Sequence, residues 1–597
     1  MLKLLKKINF ILDKQQKKQF VLLGVLVFVG GFLETLGVTA LIPAITVVLN
    51  PELLMSFIAD SEFLSGIYNF LGIESFSQLA AGLLIGIVAV FVVKNLFALF
   101  LASRQASFIY MGKIVTVSRV LRGFLNRPYE AYLGTNIPAF MRLIDSDIPK
   151  SYALIMAVLQ LTSEIVVAVL LFILLVVSDW QFTLFVMFLF GSVTLFFYKV
   201  LRPVINRLGQ KCHVIEADVA KWRLQIAYGL KDIKVLNREG FFLKSYVRDG
   251  SVGAETTRKY IVLNNTPRLL VETVFIAGVL AFVMINMLNS HSSDELAMTM
   301  AVFGAAAIRM LPSFTRMNTY FSDIAFNQAS FEYLCERLGE EGEEGGRPRT
   351  VAPTEDVQVL VGAVGNRPHK HVLQHEILLD NITYAYPGTD CNIFDAATMR
   401  VPFGQSVGII GPSGAGKSTV VDIMLGLLRP QAGTVTCDGR DIFANHESWL
   451  AQIGYIPQAI YLVDESIRVN VAFGIDRENI DDERVWAVLA EAQMKEFVMG
   501  LPEGLNTAIG DRGIRLSGGQ RQRIGIARAL YHQPEILVFD EATSALDDGT
   551  EQEVLEAINH FYGKKTMVII AHRLNTIAKC DMVYQVVEGK LKETKVG

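Results

Sequence analysis

Long apolar stretches dominate the first half of this 597-residue chain. Six of them are long enough to cross about 30 Å of hydrocarbon, which takes roughly 20 helical residues. They lie at 20–49, 79–103, 152–177, 182–201, 269–288 and 297–318. Charged residues make up only 19% of the chain, against roughly 25% in soluble proteins. The pattern predicts an α-helical domain with six membrane spans and excludes a wholly soluble chain.

The charge of the connecting segments predicts their orientation. Residues 1–19 carry six lysines, and the long segments 104–150 and 202–268 are rich in Lys and Arg. The segments 50–78 and 289–296 contain neither Lys nor Arg. Because Lys and Arg accumulate on the cytoplasmic side, we expect a multi-pass membrane protein with both termini in the cytoplasm.

A change of composition separates the apolar part from a second domain. The stretch 339–375 is rich in acidic residues, Gly and Pro, which is typical of a linker. Beyond it, β-like runs such as Ser406–Ile410 and Ile536–Asp540 alternate with helical patterns, which predicts an α/β domain with a largely parallel sheet. We therefore expect a transmembrane domain with cytoplasmic helix extensions at 1–338 and an α/β domain at 376–597.

A glycine-rich segment of the second domain matches the pattern GxxxxGK[ST]. Gly411–Thr419 reads GPSGAGKST, follows the β-like run Ser406–Ile410 and precedes a helical pattern, which is the context of a phosphate-binding P-loop. Backbone N–H groups of such a loop cradle phosphates, and the helix N-terminus adds positive partial charge. Lys417 is expected to reach the β- and γ-phosphates, and Ser418 to ligate Mg²⁺. An incidental lysine in a Gly-rich turn would not explain the flanking elements.

Two carboxylates end the apolar run Ile536–Asp540. Asp540 suits an indirect contact to Mg²⁺. Glu541 is placed to orient and deprotonate the water that attacks the γ-phosphate. His572, after another apolar run, is a candidate contact to the γ-phosphate, although a histidine in such a position is on its own more often structural.

The segment Leu516–Gln520 reads LSGGQ, and together with the P-loop, the two acids and His572 it resembles the ATP-binding cassette (ABC) transporters. Six spans before one cassette resemble a half-transporter of the type IV exporter fold. The resemblance implies an ATPase coupled to transport, with ATP and Mg²⁺ as cofactors and Glu541 and His572 as catalytic residues. It implies a nucleotide site formed by Tyr386, Gly411, Pro412, Ser413, Gly414, Ala415, Gly416, Lys417, Ser418, Thr419, Gln458, Ser517, Gly518, Gly519 and Gln520. It implies a metal site formed by Ser418, Gln458 and Asp540.

Further landmarks of the family follow in the expected order. Tyr386 resembles the aromatic residue that stacks on adenine, and Gln458 resembles the Q-loop residue that senses Mg²⁺ and the membrane domain. Asp511–Gly513 resembles the exporter X-loop, and Ser544–Asp547 resembles the D-loop.

The resemblance also bears on assembly. In the family, LSGGQ of one cassette caps the nucleotide on the opposite P-loop. This chain has one of each, so a homodimer with two equivalent sites is expected, and a heterodimer with another half-transporter remains open. Coupling helices are expected near Gly134–Phe140 and Tyr228–Lys234, where solvated loops are the alternative.

Ionisable residues within the predicted spans point to the substrate. Lys94 lies near the centre of the second span, Arg309 near the centre of the sixth, and Arg268 at the cytoplasmic start of the fifth. They predict a cationic chamber for an anionic head group. Structural pairing is the alternative. Glu34 is a candidate partner of Lys94, and Glu272 lies one helical turn after Arg268.

Three stretches of the spans resemble the PglK-type lipid-linked oligosaccharide flippases. They are FLETLGVTALIPAITVV at 32–48, PRLLVE at 267–272 and IRMLPSFTRMNTYFSDI at 308–324. The resemblance implies translocation of a polyprenyl-pyrophosphate oligosaccharide for protein glycosylation or glycan assembly, with Lys94, Arg268 and Arg309 as substrate residues. Where that family has arginine, Lys94 keeps the charge but weakens bidentate recognition.

Other cargo remains open. An exporter of other glycolipids such as lipid A would also use cations, whereas an exporter of drugs or peptides would not need three of them near one another. The external segment 53–71 has the apolar spacing of a short amphipathic helix on the membrane surface, either a lipid-facing cap or a substrate contact. The net charge of −4 gives no basic field for nucleic acid, and five scattered cysteines without a CxxC pair indicate neither a disulfide framework nor a zinc site.

Overall fold

The computed structural model describes residues 2–39, 76–178, 180–288, 293–344, 374–389, 391–543, 548–571 and 573–594. The chain forms two compact units. The first comprises Met1–Arg127 and Thr135–Pro353, and the second comprises Pro128–Gly134 and Thr354–Gly597. The predicted surface helix at 53–71 lies outside the described residues, as does most of the predicted linker.

The first unit is helical. Its helices are α1 (Leu2–Ile11), α2 (Lys14–Thr39), α3 (Phe76–Leu125), α4 (Ile137–Arg142), α5 (Ile148–Ser178), α6 (Trp180–Phe196), α7 (Arg202–Tyr228), α8 (Leu230–Val235), α9 (Glu239–Leu288) and α10 (Ser293–Glu344). π-Helical turns at Leu143–Asp147 and Phe197–Leu201 join α4 to α5 and α6 to α7. The short helices α4 and α8 lie at the two positions predicted for coupling helices.

Three helices are far longer than a membrane is thick. Helices α3, α9 and α10 contain 50, 50 and 52 residues. At 1.5 Å per residue each is about 75 Å long, more than twice the hydrocarbon thickness of about 30 Å. Each helix is therefore longer than a membrane crossing requires, and extension into the cytoplasm stays a prediction.

Within the residues that the structure describes, three segments suit a membrane crossing by length and apolar composition. They are Lys14–Gly37, Ala80–Leu125 and Ile137–Leu170, and they overlap the first three predicted spans. The other three predicted spans also lie on helical backbone, in α6 with the following π-turn, in α9 and in α10. Part of their side chains is outside the described structure.

The core of the first unit forms around α5. Its buried residues Tyr152 and Leu161 belong to one apolar cluster with Phe331 of α10. The Tyr152 hydroxyl lies 2.8 Å from the Thr116 hydroxyl of α3. A Cβ on Gly112 of α3 would lie 2.5 Å from the Tyr152 ring, so only glycine leaves room for the ring. Close packing of α3, α5 and α10 thus depends on one buried aromatic residue.

The second unit contains two sheets. The strands are β1 (Glu376–Tyr384), β2 (Phe394–Pro402), β3 (Ser406–Ile410), β4 (Ala432–Cys437), β5 (Arg440–Asp441), β6 (Ile453–Ile456), β7 (Ile536–Asp540), β8 (Thr566–Ile570), β9 (Met582–Val587) and β10 (Lys590–Thr594). An antiparallel sheet has the order β2-β1-β4-β5, and a six-stranded sheet has the order β10-β9-β3-β8-β7-β6. All pairs of the larger sheet except β10 with β9 are parallel, as predicted.

Helices surround these sheets. They are α11 (Lys417–Leu425), α12 (His446–Leu450), α13 (Ile467–Val471), α14 (Asp482–Glu491), α15 (Lys495–Met499), α16 (Gly518–Tyr531), α17 (Asp548–Asn559) and α18 (Leu574–Ile577). The second unit also includes Pro128–Gly134, where the Glu130 carboxylate accepts a hydrogen bond from the backbone N–H of Arg429 at 2.8 Å.

The parallel strands determine where a site can form. Strand β8 is buried along its whole length, and β3 and β7 are buried except at their last residues. Such strands read as continuous apolar runs because both faces of the sheet are covered. The carboxyl ends of β3, β8, β7 and β6 lie along one edge, which is where ligands bind in open α/β sheets.

Candidate nucleotide-binding site

The loop between β3 and α11 has a shape that only glycine supports. Gly414 and Gly416 have φ angles of 78° and 106°, in the left-handed region that favours glycine. A Cβ on Gly416 would also lie 2.8 Å from Ile393 and 3.0 Å from Phe394. The backbone conformation therefore favours glycine at positions 414 and 416, and at position 416 the neighbouring side chains also leave no room for a Cβ.

Lys417 begins α11 and is buried. Its Nζ donates hydrogen bonds to the carbonyl oxygens of Gly411 and Pro412, each at 3.1 Å. These carbonyls hold the ammonium group over the loop, and the N-terminus of the nine-residue helix adds positive partial charge beside it. The loop thus presents positive charge of the kind that binds phosphate.

Asp540, at the end of β7, connects the P-loop helix to the sheet. Its Oδ2 accepts a hydrogen bond from the Tyr455 hydroxyl at 3.2 Å, and the Ser418 side chain lies close enough to lower the pKa of the Asp540 carboxyl. Burial raises the pKa of the Asp540 carboxyl, and the charge of Glu541 raises it further, whereas the hydrogen bonds and the charge of Lys417 lower it. The structure therefore brings two of the predicted metal residues, Ser418 and Asp540, into contact.

Glu541 follows β7 with a left-handed backbone, φ 49°, which is uncommon for a non-glycine residue. Its backbone N–H donates to the carbonyl of Ile570 on β8 at 3.1 Å. Its Oε2 accepts a hydrogen bond of 2.8 Å from Nε2 of Gln458, which itself follows β6. The Gln458 carbonyl accepts a hydrogen bond from Gln522 of α16 at 2.9 Å. Residues from three elements thus hold the candidate base in place.

The donor set fits a magnesium ion. Ser418, Asp540 and Gln458 offer hydroxyl, carboxylate and amide oxygens, the hard ligands that Mg²⁺ prefers. Among the described residues no group of three or more His, Cys, Asp or Glu side chains is arranged to hold a metal. A metal at this edge would therefore rely on mixed protein oxygens, together with oxygens of a bound nucleotide and water.

Two residues near this edge were not predicted from the sequence. Tyr455 lies on β6, opposite Val538 of β7, and reaches Asp540 across the sheet. Asp422 of α11 is half-buried, and burial, followed by the charge of Asp540, raises its pKa to about 6. Strand order alone brings Tyr455 to Asp540, so no local sequence signal could have indicated it. Asp422, in contrast, lies one helical turn after Ser418, and its spacing is a signal that sequence reasoning missed.

Tyr386 lies beside the P-loop helix. Its hydroxyl is 3.0 Å from the hydroxyl of Thr419, and its ring meets the ring of Tyr384 edge-on with centroids 5.3 Å apart. Stacking of Tyr386 on adenine stays a prediction.

His572 and the predicted D-loop, Ser544–Asp547, lie outside the described residues. The backbone directly before His572 is described, because the N–H of Ala571 donates to the carbonyl of Ile409 on β3 at 3.2 Å. The chain at this point therefore lies beside the strand that leads into the P-loop. The role of His572 stays a prediction.

The LSGGQ segment forms the start of α16. Ser517 Oγ accepts a hydrogen bond from the backbone N–H of Gln520 at 3.2 Å, and Gln520 Oε1 accepts one from the N–H of Ser517 at 2.9 Å. This reciprocal capping box stabilises the helix N-terminus. A Cβ on Gly519 would lie 1.8 Å from Cγ2 of Thr550 on α17, so this glycine also permits close packing of two helices.

Two of the predicted substrate cations have described side chains. Lys94 of α3 is half-buried, with Nζ 4.9 Å from the centre of the Phe91 ring, and it lies against Gly37 of α2. Arg268 of α9 is exposed. The side chain of Arg309 is outside the described structure.

The predicted structural pairs do not form, and another pair does. Within the described residues, Lys94 makes no ion pair with Glu34 and Arg268 makes none with Glu272. Instead Glu164 of α5 pairs with Arg316 of α10 at 2.5 Å and accepts a further hydrogen bond from Ser313. Glu164, which lies in the third predicted span, is thus neutralised by Arg316.

A family model for the ABC transporter matches residues 394–544. The matched segment begins at β2 and includes the P-loop, Gln458, the LSGGQ segment and Glu541. The match agrees with the resemblance inferred from the motifs and supports ATP binding by the second unit.

Two relatives match part of the chain. An ATM1-type heavy metal exporter from Novosphingobium aromaticivorans is 38% identical over 239 residues, 40% of this chain and 39% of the relative. An ATP-dependent lipid A-core flippase from Cupriavidus metallidurans is 39% identical over 221 residues, 36% of this chain and 37% of the relative. The chain spans 18–39% of the length of three curated relatives that it matches.

A solved structure matches nearly the whole chain. The structure of a bacterial Atm1-family ABC exporter with ATP bound has a TM-score of 0.72 and 20% sequence identity, and the match covers 97% of this chain and 95% of that one. At this identity the likeness shows the fold. A helical transmembrane domain followed by an α/β nucleotide-binding domain, as predicted, is therefore confirmed.

The contact between Gly519 and Thr550 gives a testable prediction. Gly519→Ala should lower the stability of the protein by about 1–3 kcal/mol, because the added methyl group overlaps Thr550. Adding Thr550→Ser, which removes the obstructing methyl group, should restore most of the loss. Thermal unfolding of the full chain measures both effects. Gly500→Ala is the control, since a Cβ there meets only atoms at 3.5 Å. If Thr550→Ser restores nothing, the packing explanation is wrong.

Proposed function

We propose that this chain is one subunit of an ATP-driven exporter that moves an anionic, lipid-linked oligosaccharide across the bacterial cytoplasmic membrane. The proposed ATPase activity rests on the residues that meet at one edge of the parallel sheet. There the P-loop lysine, the Ser418–Asp540 contact and the Gln458–Glu541 hydrogen bond meet. The fold of a known exporter supports coupling of this edge to transport.

The residues at this edge can carry out phosphoryl transfer, which depends mainly on positioning and charge stabilisation. Lys417 and the loop N–H groups would bind the phosphates. Ser418, Asp540 and Gln458 would hold Mg²⁺, which when bound neutralises charge on the phosphate oxygens. Glu541 would accept a proton from the attacking water, with its carboxylate oriented by Gln458.

Assembly as a homodimer would complete two equivalent sites. The chain has one P-loop and one LSGGQ segment. In ABC transporters the LSGGQ segment caps the nucleotide of the opposite cassette. Ser517 lies at an exposed helix N-terminus, which suits an anion supplied by another chain. A heterodimer with another half-transporter is the alternative.

The charges of the membrane domain support an anionic substrate. Lys94 is half-buried, and within the described residues neither Lys94 nor Arg268 is neutralised by an acid. Uncompensated cations in a membrane domain are costly and mark substrate pathways. A pyrophosphate group requires several cations to replace its hydration, and Arg309 would supply the third. The six lysines of residues 1–19 support a cytoplasmic N-terminus.

A lipid A-type glycolipid is the second candidate substrate. The lipid A-core flippase named above is 39% identical, and its substrate class also carries anionic groups on a lipid. That match and the match to the heavy metal exporter leave at least 60% of this chain unaligned. They therefore inform the choice of substrate less than the charges of the membrane domain do.

Glu541→Gln should bind ATP normally but lose about 10²-fold or more of its turnover, because the attacking water is no longer deprotonated. Phosphate release and retention of labelled ATP measure the two properties. Glu483→Gln, the same change at an exposed position of α14, is the control. Near-normal hydrolysis by Glu541→Gln would show that another group is the base.

Mixed dimers test the assembly. Subunits with Lys417→Ala and subunits with Ser517→Arg should each be inactive as homodimers, because each change disables one half of every site. Co-expression with two affinity tags isolates the mixed dimer, which should recover roughly half of the normal ATPase rate from its one intact site. A purified monomer with full activity would refute the shared site.

The triple variant Lys94→Gln, Arg268→Gln, Arg309→Gln tests the substrate. Each charge-assisted bond to pyrophosphate contributes about 1.5–3 kcal/mol, so flipping should fall more than tenfold while basal ATPase persists. The assay uses proteoliposomes with a fluorescent polyprenyl-pyrophosphate glycan, and a lipid A analogue in parallel.

The matched control is Arg207→Gln, Lys221→Gln, Arg223→Gln, which removes the same charges from the exposed surface of α7. Flipping of the lipid A analogue alone would favour the second candidate. If wild type and triple variant flip the glycan equally, the cationic chamber is wrong and export of drugs or peptides becomes the favoured function.

A further inference from the structure

The segment 457–463, which carries Gln458, follows β6 and belongs to no helix or strand. The core of the second unit holds its two ends, because Ile456 and Leu462 are buried in one apolar cluster. The ladder that pairs β6 with β7 ends at Ile456, which lies opposite Phe539. The position of Gln458 therefore depends on contacts from elements other than the neighbouring strand.

Helix α16 supplies such contacts. Three of its residues, spaced three positions apart and therefore neighbours on the helix surface, contact the segment 457–463; they are Gln522, Gly525 and Arg528. Nε2 of Gln522 donates to the carbonyl of Gln458 at 2.9 Å, and Nη1 of Arg528 donates to the carbonyl of Tyr461 at 2.7 Å. A Cβ on Gly525 would overlap Cδ1 of Ile460, so only glycine permits this approach. The helix thus holds the segment at three points.

Gln522 is a buried polar residue, with 7% of its surface exposed. Its Nε2 makes the hydrogen bond to Gln458, whereas its Oε1 is buried without a hydrogen-bond partner among the residues that the structure describes. An unpaired buried acceptor destabilises a fold, so packing alone would favour an apolar side chain of the same size at this position. The contact with Gln458 therefore explains the amide of Gln522 better than stability does.

Gln458 connects this contact to the candidate base. Its backbone carbonyl accepts a hydrogen bond from Gln522, and its side chain donates from Nε2 to Oε2 of Glu541 at 2.8 Å. The sheet fixes the backbone of Glu541, because its N–H donates to the carbonyl of Ile570 at the end of β8 at 3.1 Å. The orientation of the Glu541 carboxylate therefore depends on where Gln458 lies, and Gln522 holds the backbone of Gln458.

We propose that Gln522 is a positioning residue for ATP hydrolysis, which acts through Gln458 on the Glu541 carboxylate of its own chain. A carboxylate accepts a proton efficiently only when its oxygen is held within hydrogen-bond distance of the attacking water. A misplacement of about 1 Å costs roughly 10²-fold in rate. Gln522 limits such displacement from the far side of Gln458. The inference rests on the proposed role of Glu541 and adds a residue outside the nucleotide and metal sites.

Gln522→Met tests the proposal in the full chain, because methionine is unbranched like glutamine but donates no hydrogen bond. The kcat of ATP hydrolysis should fall roughly tenfold. The KM for ATP should change less than about twofold, since the P-loop still binds the phosphates. The midpoint of thermal unfolding should shift by less than about 3 °C, because the variant loses one hydrogen bond but also an unpaired buried acceptor. Gln552→Met, at an exposed position of α17, is the matched control and should leave turnover unchanged.

The same change in a Gln458→Ala background separates positioning from a structural role. Without the Gln458 side chain, Gln522 has no route to Glu541, so Gln522→Met should change kcat there by less than about twofold. Hydrogen exchange of residues 458–463, measured by mass spectrometry, should be faster in Gln522→Met than in wild type, because the segment has lost one of its contacts. This second readout needs no ATP hydrolysis, so it tests the contact even if the base is another group.

Mixed dimers locate the effect. When Lys417→Ala and Ser517→Arg subunits are combined, the intact site uses the P-loop of the Ser517→Arg subunit. Gln522→Met should lower turnover on that subunit and leave it unchanged on the Lys417→Ala subunit. An unchanged kcat, an equal loss of kcat in the wild-type and alanine backgrounds, unchanged exchange, or a larger effect on the Lys417→Ala subunit would overturn the proposal. Normal turnover by Glu541→Gln would instead refute the proposed base, so the two failures are distinguishable.

Discussion

Parallel pairing of β7 with its two neighbours determines the geometry of the candidate nucleotide site. Strand β7 pairs with β6 on one side and β8 on the other, so that Asp540 lies opposite Ile570 and Val538 opposite Tyr455. This register brings the ends of three strands to one edge. A one-residue slip of β7 would turn Asp540 away from Ser418 and Tyr455, because successive side chains of a strand point to opposite faces.

Several residues of the nucleotide-binding motifs stabilise the fold and are also expected to bind the ligand. Gly416 permits the loop to approach Ile393 and Phe394, and Gly519 permits α16 to approach α17. Ser517 caps α16 and is also expected to contact nucleotide on a partner. Loss of activity in variants of these residues therefore has two physical causes, which measurements of stability separate.

Charge in the first unit divides into a paired and an unpaired set. The pair of Glu164 with Arg316 neutralises two groups that would otherwise be costly in a membrane domain. Lys94 is close to an aromatic ring instead, and Lys7 of α1 pairs with Glu332 of α10. Lys94 and Arg268, which form no ion pair within the described residues, are the basis of the proposed anionic substrate.

The sequence by itself determined the features that depend on neighbouring residues. Apolar length predicted the spans, and alternation of elements predicted the parallel sheet. The spacing of glycines and Lys417 predicted the P-loop, because its shape arises from consecutive backbone angles. Only the tertiary structure decided which distant groups meet. Gln458 reaches Glu541, Tyr455 reaches Asp540, and Glu164 pairs with Arg316. Such contacts follow from strand order and helix packing, in which residues far apart in the chain compete for the same partner, and no local pattern records the outcome.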